Sequence, residues 1–256
     1  MEKNAGYAVG IDLGGTFIKY ALVSDEGKII FQNKVALGND ISREVILEKI
    51  YQSVNKTLDE AARRSIEVSG IGVGSPGIVY NGVIIGGADN LNGWENIELK
   101  SFLENKFHLM TQVENDANVM GLGEVFYGAA RGCSDVVFLT IGTGIGGAMV
   151  LNGKLYGGYQ NRGGELGHIT IAYNGIDCNC GGRGCLEAYA STSALIKQYT
   201  KAMEISDDGI DGRYIVKKYL AKESYNQWDY ETKSWSNSQV MIDTFLYNSK
   251  YSERAN

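Results

Sequence analysis

Two stretches of the chain, about 130 residues apart, share one layout of apolar runs and polar turns. Residues 7–30 read YAVGIDLGGTFIKYALVSDEGKII, and residues 135–158 read DVVFLTIGTGIGGAMVLNGKLYGG. Each contains an apolar strand, a Gly/Thr turn, a second strand, a polar Gly turn and a third strand. The repetition predicts a duplicated α/β domain in which both copies open with three strands joined by tight turns.

Helical and strand patterns continue after each repeat. The second repeat is followed by the cysteine-rich stretch and then by one predicted helix at 185–203. The first is followed by a predicted helix at 42–64 with Ser42 as its N-cap, a strand at 69–79, a helix at 98–107, a strand at 108–115 and a helix at 116–131.

The composition changes near residue 220. No apolar strand like that at 69–79 follows residue 200, although residues 210–220 fit one short helix. Residues 223–256 are poor in aliphatic side chains and rich in Ser, Asn, Tyr and Trp, which predicts weak order. We therefore expect an N-terminal α/β domain at 1–122, a C-terminal α/β domain at 123–222 and a divergent tail at 223–256.

Net charge and hydropathy argue against two classes of partner. The formal net charge is −6 and the isoelectric point is near 5.1, whereas nucleic-acid-binding proteins carry basic patches. The N-terminus has no apolar signal core, and the chain has no long apolar run that could span a membrane. These features predict a cytoplasmic protein with no nucleic-acid and no membrane partner.

The stretch at 163–187, GGELGHITIAYNGIDCNCGGRGCLE, combines one histidine with three of the four cysteines. His168, Cys178, Cys180 and Cys185, here called the Cys/His cluster, supply a full tetrahedral ligand set for a structural Zn²⁺. The alternatives are a disulfide or buried free thiols, although the Cys-x-Cys spacing is too short for an easy bond between those two. Glu165 and Glu187 flank the cluster and suggest a polar pocket. Cys133 stands apart and is expected to be a small buried residue.

Two glycine turns are candidates for binding phosphate. In the first Gly/Thr turn (residues 12–16), backbone N–H groups and the Thr16 hydroxyl converge as a phosphate requires. Asp12 could hold Mg²⁺ through water, and Lys19 follows. The second Gly/Thr turn (residues 142–147) matches G-x-G-x-x-G, but a strand follows it where a dinucleotide site needs a helix. The alternative for the first turn is a plain hairpin with a turn aspartate.

A third candidate lies where the strand at 108–115 meets the next helix. Asp116 stands near a helix N-terminus, which favours the ionised carboxylate, and an ionised Asp can accept a hydroxyl proton during phosphoryl transfer. The alternative is an Asp that only caps the helix. Asn90 and Asn115 could hydrogen-bond a polyol, although each alone is typical of a turn.

Seven separated motifs together resemble those of the ROK (repressor, open reading frame, kinase) sugar kinases. Each is unspecific alone, but they occur in the family's order from residue 7 to about 200. They are DLGGTFIK at 12–19, GVGSPG at 72–77, NLNGWE at 90–95, ENDAN at 114–118, TIGTGIGG at 140–147, GGELGH at 163–168 and CNCGGRGCLE at 178–187. The resemblance implies a duplicated actin-like ATPase (ribonuclease H-like) fold with two domains around a cleft.

The resemblance also implies roles for individual residues. In that family ATP phosphorylates a sugar hydroxyl with Mg²⁺, so Asp116 would be the catalytic base and a hexose, with glucose foremost, the substrate. The residues implied to surround the sugar are Gly74, Asn90, Asn115, Glu165, His168 and Glu187. Those implied to face the nucleotide are Asp12, Gly14, Gly15, Thr16, Lys19, Thr143 and Gly144. His168 would use its other ring nitrogen for the sugar while it ligates zinc. A homodimer is expected.

Two departures from the family pattern qualify that expectation. The DLGGT motif begins at residue 12, which leaves no room for the DNA-binding helix-turn-helix of the family's repressors. The Gly-rich strand and turn that hold the adenosine in family kinases have no counterpart after residue 200. We therefore expect a glucokinase-like chain whose second domain is incomplete through C-terminal truncation. The alternative is a catalytically impaired sugar-binding remnant.

Overall fold

The computed structural model describes residues 6–38, 41–88 and 91–220. The strands are β1 Tyr7–Leu13, β2 Phe17–Ser24, β3 Ile29–Ala36, β4 Gly70–Ser75, β5 Ile78–Tyr80, β6 Val83–Gly86, β7 Met110–Asn115, β8 Val136–Ile141, β9 Ile145–Leu151 and β10 Lys154–Leu155. The α-helices are α1 Arg43–Arg63, α2 Leu99–Phe107, α3 Asp116–Tyr127, α4 Leu186–Ala190, α5 Thr192–Met203 and α6 Gly212–Leu220.

The chain divides into two compact units. The first comprises Met1–Phe138 and Ala148–Gly164, and the second comprises Leu139–Gly147 and Glu165–Asn256. The domain limits predicted at residues 122 and 222 stay predictions. The predicted tail at 223–256 lies outside the described residues.

A five-stranded mixed sheet, in the order β3-β2-β1-β4-β7, forms the framework of the first unit. Strands β1 to β3 are consecutive antiparallel neighbours, as the first repeat predicts. β4 and β7 then add in parallel, β4 beside β1 and β7 beside β4. Such parallel pairs need long crossover connections, and the chain supplies them with α1 and α2.

The hydrophobic core of the first unit includes the sheet, α1 and α2, and its pattern is clearest in β2 and α1. In β2 the buried side chains alternate with more exposed ones, as expected of a strand with one covered face. In α1 the buried side chains recur every three or four residues, including Ile46, Ile50 and Val54. Complete burial of each such side chain contributes about 1.5–3 kcal/mol to the stability of the fold. The apolar spacing in the sequence therefore identifies the side chains that stabilise the packing of α1 on the sheet.

The second repeat forms a three-stranded sheet in the order β10-β9-β8. The G-x-G-x-x-G stretch leads into β9 and not into a helix, which confirms the strand–turn–strand prediction. The short helix predicted at 210–220 is present as α6. No helix in the described part of the chain combines the length and apolar character needed to cross a membrane.

Three sequence predictions need correction. The strand predicted at 69–79 is interrupted at Pro76 and Gly77, where the proline has no N–H to donate and the glycine has a φ of +92°, and it forms β4 and β5 of two different sheets. The single helix predicted at 185–203 breaks at Ser191, whose backbone is extended and whose hydroxyl accepts the Ala194 N–H at 3.1 Å. Serine competes for backbone hydrogen bonds in this way and starts α5 as a new helix. Cys133, expected to be buried, is exposed, because it lies in the loop that joins α3 to β8.

Candidate functional site

The site residues predicted in the first unit gather where parallel strands end. Register places Asp12 of β1 beside Gly74 of β4, and Ser75 of β4 beside Asn115 of β7. The carboxyl ends of parallel strands meet at one sheet edge, which is where open α/β sheets bind ligands. A Cβ on Gly74 would lie 3.5 Å from the Asp116 Cα, so this glycine lies in close contact with the start of α3.

The first Gly/Thr turn joins β1 to β2 at the same edge. The Gly14 N–H donates to the Phe17 carbonyl at 3.0 Å, and the Leu37 N–H donates to the Thr16 carbonyl at 2.9 Å. Gly15 and Thr16 are exposed, so their N–H and hydroxyl groups are accessible to a ligand. Lys19 Nζ lies 2.8 Å from Asp12 Oδ2 across the same hairpin. The carboxylate of Asp12 and the ammonium group of Lys19, both predicted to face the nucleotide, therefore form an ion pair at this turn.

Asn115, and not Asp116, caps helix α3. Its Oδ1 accepts the N–H groups of Ala117 and Asn118, at 3.0 and 3.2 Å, and its Nδ2 donates to the Gly77 carbonyl at 2.9 Å. The alternative interpretation of Asp116 as the helix cap is therefore wrong. Because Asn115 takes that role, the Asp116 carboxylate needs no structural partner beyond its own first turn.

The surroundings of Asp116 oppose its ionisation. Partial burial raises the pKa of its carboxyl, and the negative charge of Asp12 raises it further. The Ala117 N–H, which donates to Asp116 Oδ1 at 2.9 Å, acts in the opposite direction. The helix N-terminus alone predicts a lowered pKa, so the predicted direction is wrong because desolvation outweighs the helix. A carboxylate with a raised pKa is a stronger base.

One anchor of this region was not predicted from the sequence. Trp94 is buried, and its indole N–H donates to the Ser75 hydroxyl at 3.0 Å, which ties residues 91–95 to the end of β4. A lone tryptophan in a polar loop gives no indication of its partner, because the contact joins residues 19 positions apart. The neighbouring Asn90, predicted to bind sugar, lies outside the described residues.

In the second unit the Cys/His cluster has the geometry of a metal site. Cys178 Sγ lies 3.7 Å from His168 Nδ1, Cys180 Sγ lies 3.7 Å from Cys185 Sγ, and all four ligand atoms lie within 4.8 Å of one another. A tetrahedral zinc with Zn–S bonds of about 2.3 Å separates its ligand atoms by about 3.6–3.8 Å. The four residues therefore fit Zn²⁺. The sulfur atoms are too far apart for a disulfide, and all are free thiols.

Glycines shape the loop that carries the cluster. Gly184 has a φ of +73°, and a Cβ there would collide with the Ala172 carbonyl. The Ile171 N–H donates to the Gly184 carbonyl at 2.8 Å. Only glycine combines this backbone conformation with such a close approach, so the chain can double back and bring Cys185 to the other ligands.

The imidazole of His168 presents its two nitrogens to different neighbours. Nδ1 faces the Cys178 sulfur at 3.7 Å, and Nε2 lies 3.9 Å from Glu165 Oε2. With Nδ1 as the ligand atom, the ring proton resides on Nε2 and points towards the carboxylate. At 3.9 Å the two groups are beyond direct hydrogen-bond distance, and the Glu165 side chain is 46% exposed.

Cys185 and Cys180 differ in how readily their thiols ionise. Burial of Cys185, together with the neighbouring sulfur atoms of Cys180 and Cys178, raises the pKa of Cys185 to about 12. The Gly182 N–H, and secondarily Cys178, lower the pKa of Cys180. A dication bound to the cluster would favour all three thiolates and release their protons, so metal uptake is expected to depend on pH.

Glu187 lies against the second Gly/Thr turn. Its Oε2 accepts the Ile145 N–H at 2.7 Å, and a Cβ on Gly144 would collide with the same oxygen. Thr143 is exposed at the tip of the turn. The second unit thus brings together Thr143, Gly144, Glu165, His168, Glu187 and the remaining ligands of the Cys/His cluster.

Comparison with known proteins gives one consistent result. The sequence profile described as the ROK family matches residues 8–239. The chain is 40% identical over 195 residues to a glucokinase of Thermotoga maritima, covering 73% of this chain and 58% of that protein. It is 36% identical over 209 residues to a xylose repressor of Bacillus spizizenii, covering 80% of this chain and 53% of the repressor. The chain therefore spans a little over half the length of these relatives.

The structural comparison agrees with the sequence comparison. A ROK family glucokinase of Streptomyces griseus, solved in complex with glucose and AMPPNP, matches with a TM-score of 0.72 and 32% identity. The match covers 86% of this chain and 72% of that one. It confirms the predicted α/β fold class, that of the actin-like ATPases.

Proposed function

Because this chain belongs to the ROK family, we propose that it is a glucokinase-like phosphotransferase that moves the terminal phosphoryl group of ATP to a hexose hydroxyl. The observation that carries this proposal is Asp116. Its carboxylate lies at the edge where three parallel strands end, beside a phosphate-type turn, and the helix cap is supplied by Asn115.

Asp116 acts as the general base. Its task is to accept the hydroxyl proton of the sugar as the new O–P bond forms. Burial and the charge of Asp12 support this role, because the raised pKa increases the driving force for proton uptake. The Ala117 N–H fixes the carboxylate on one oxygen, Oδ1, and thereby orients Oδ2.

The Gly/Thr turns bind phosphate. In the first, Gly14, Gly15 and Thr16 offer N–H and hydroxyl donors, and Lys19 offers a positive charge at the same hairpin. In the second, Thr143 and Gly144 act in the same way. Mg²⁺, held through water by Asp12, would neutralise charge on the phosphates.

Residues of the family motifs are the proposed hexose-binding groups. The proposed contacts are Gly74, Asn90, Asn115, Glu165, His168 and Glu187. The proton on His168 Nε2 and the exposed carboxylate of Glu165 are complementary to sugar hydroxyl groups, which both donate and accept. Zn²⁺ would act structurally in the Cys/His cluster, because four protein ligands leave no open position.

A coupled assay of ADP release with a panel of hexoses tests the proposal. Removal of the general base in Asp116→Asn is expected to slow hexose-dependent ADP release by about 10²- to 10⁴-fold. The asparagine is isosteric and keeps the acceptor for the Ala117 N–H, so circular dichroism of the variant should match the wild type. No hexose-dependent release above the level of Asp116→Asn would refute the phosphotransferase function.

Sugar binding without transfer is the second candidate. The 36% identity to a xylose repressor favours it, since sugar recognition is a function that requires no nucleotide. Glucose or xylose should then raise the melting temperature while AMPPNP leaves it unchanged. Stabilisation by AMPPNP would count against this alternative.

A further inference from the structure

The second Gly/Thr turn is held by groups that belong to the cysteine-rich loop and the helices after it. The Ile145 N–H donates to Glu187 Oε2 at 2.7 Å, and the Thr192 N–H donates to the Gly142 carbonyl at 2.9 Å. Within the turn itself, the Gly142 N–H donates to the Gly144 carbonyl at 2.9 Å. The conformation of the turn therefore depends on residues that follow it by more than 40 positions.

Residues that neighbour two ligands of the Cys/His cluster, Cys185 and His168, contact Ile145. Glu187 is the second residue of α4, and the N-cap of that helix is the ligand Cys185. On the other side, Gly167 precedes the ligand His168, and a Cβ at Gly167 would collide with the Ile145 carbonyl. The N–H of Ile145 is thus bound by Glu187, which follows Cys185, and its carbonyl packs against Gly167, which precedes His168.

The loop that joins these ligands has little regular structure of its own. Between His168 and Cys185 the described residues form no helix or strand, only isolated bridges such as that between Asp177 and Arg183 and turn hydrogen bonds such as that from the Cys178 N–H to the Gly182 carbonyl at 2.9 Å. A loop of this kind gains its order from a bound metal, since the free energy of binding is available to fix the ligands. Because Cys185 is both a ligand and the N-cap of α4, a metal bound to the cluster would also fix the start of α4 and, with it, the Glu187 carboxylate.

We propose that metal binding at the Cys/His cluster sets the conformation of the second Gly/Thr turn, and that Glu187 is the positioning residue that transmits it. One carboxylate oxygen, Oε2, holds the turn, and no described residue donates to the other. The link from metal to turn stands on these contacts alone. Its consequence, that nucleotide affinity falls when the metal is lost, rests on the proposed function.

Hydrogen exchange of the Ile145 amide, followed by NMR, measures the link directly. In the zinc-loaded protein this amide should be protected. Because hydrogen bonds to charged groups are among the stronger ones, removal of zinc with a chelator should speed its exchange by at least about tenfold. Glu187→Ala should exchange at the fast rate with zinc still bound, as elemental analysis would verify. Glu187→Gln keeps an oxygen acceptor and should restore part of the protection.

Two alanine substitutions in the turn form a matched pair. Gly144→Ala places a methyl group against Glu187 Oε2 without touching a metal ligand, so exchange at Ile145 should rise while the zinc content stays unchanged. Gly142→Ala meets no heavy atom within 4 Å and should leave Ile145 protected. Equal protection of Ile145 with and without zinc, or in Glu187→Ala, would overturn the inference.

Titration with AMPPNP separates this inference from the proposed function. If the inference and the function both hold, AMPPNP binds the zinc-loaded protein more tightly than the metal-free protein. If exchange at Ile145 responds to zinc but AMPPNP binds neither form, the link between metal and turn stands and the kinase function fails. If AMPPNP binds both forms equally and exchange does not respond, the inference fails and the function survives.

Discussion

The two Gly/Thr turns have similar sequences but different supports. The first follows β1, which is hydrogen-bonded on both sides, to β2 and to β4, and its own hydrogen bonds run to neighbouring strand residues. The second follows β8, which among the described residues pairs only with β9, and it is held by Glu187 and Thr192. The first turn is thus supported by the strands of its sheet, and the second by residues of α4 and α5 that follow the Cys/His cluster.

Removal of the metal should give the largest difference in amide exchange between the two units. Structural zinc contributes on the order of 10 kcal/mol in small domains, so a chelator should expose amides of α5 to exchange and leave those of β1 and β4 protected. Backbone hydrogen exchange by mass spectrometry, with and without chelator, measures both units at once. Equal acceleration in both would show that they do not differ in support.

A cavity in the first core should have the opposite effect. Ile50 is fully buried in α1, and its replacement in Ile50→Ala should lower the free energy of unfolding of the first unit by about 2–5 kcal/mol. Zinc affinity should not change. Ile29→Ala is the matched control, because Ile29 is 54% exposed in β3 and its loss should cost far less. Denaturant titration gives the free energies. A matching loss of zinc affinity in Ile50→Ala would show that the core of the first unit and the Cys/His cluster are not independent.

Asp116→Asn should stabilise the first unit while it abolishes the proposed phosphoryl transfer. The folded-state pKa of Asp116 is raised, so the ionised carboxylate costs stability at neutral pH. The gain from asparagine should be on the order of 0.5–1 kcal/mol at pH 7 and should shrink as the pH falls towards the ordinary range of aspartate. Melting temperatures at pH 7 and at acid pH test the sign. A variant that is less stable than the wild type at pH 7 would contradict it.

Loss of the ion pair at the first turn should have the smallest effect on stability. Lys19 and Asp12 are 68% and 51% exposed, and exposed pairs contribute about 0–1 kcal/mol. Lys19→Met should therefore leave the melting temperature nearly unchanged and yet weaken AMPPNP binding. A large drop in melting temperature would show that the first turn, like the second, depends on a side-chain contact.

Local patterns in the sequence predicted much of the fold. The strand–turn–strand layout of both repeats and the helix of residues 43–63 follow from spacing within a few residues, and the structure confirms them. The break at Ser191 and the exposure of Cys133 were not predicted. Contacts in the folded chain decide both outcomes, because the Ser191 hydroxyl accepts an N–H from the next turn and no described element covers Cys133.

The candidate site was likewise predicted where local spacing determines it and missed where distant residues meet. Cysteine spacing alone predicts that four ligands converge, and their geometry fits a metal. The contact between Glu187 and Ile145 joins residues 42 positions apart, and the spacing of residues in the sequence does not predict it. The raised pKa of Asp116 depends on burial and on Asp12 from another strand, which the helix N-terminus alone does not reveal.

Direct detection of hexose phosphate across a range of pH tests the central claim. Wild-type protein, ATP, Mg²⁺ and glucose should give a product whose rate of formation rises with pH through an apparent pKa above that of an ordinary aspartate, because Asp116 must be ionised to accept the proton. The Asp116→Asn variant should lose both the product and this pH dependence. Product formed at the wild-type rate and with the same pH profile by Asp116→Asn would contradict the account.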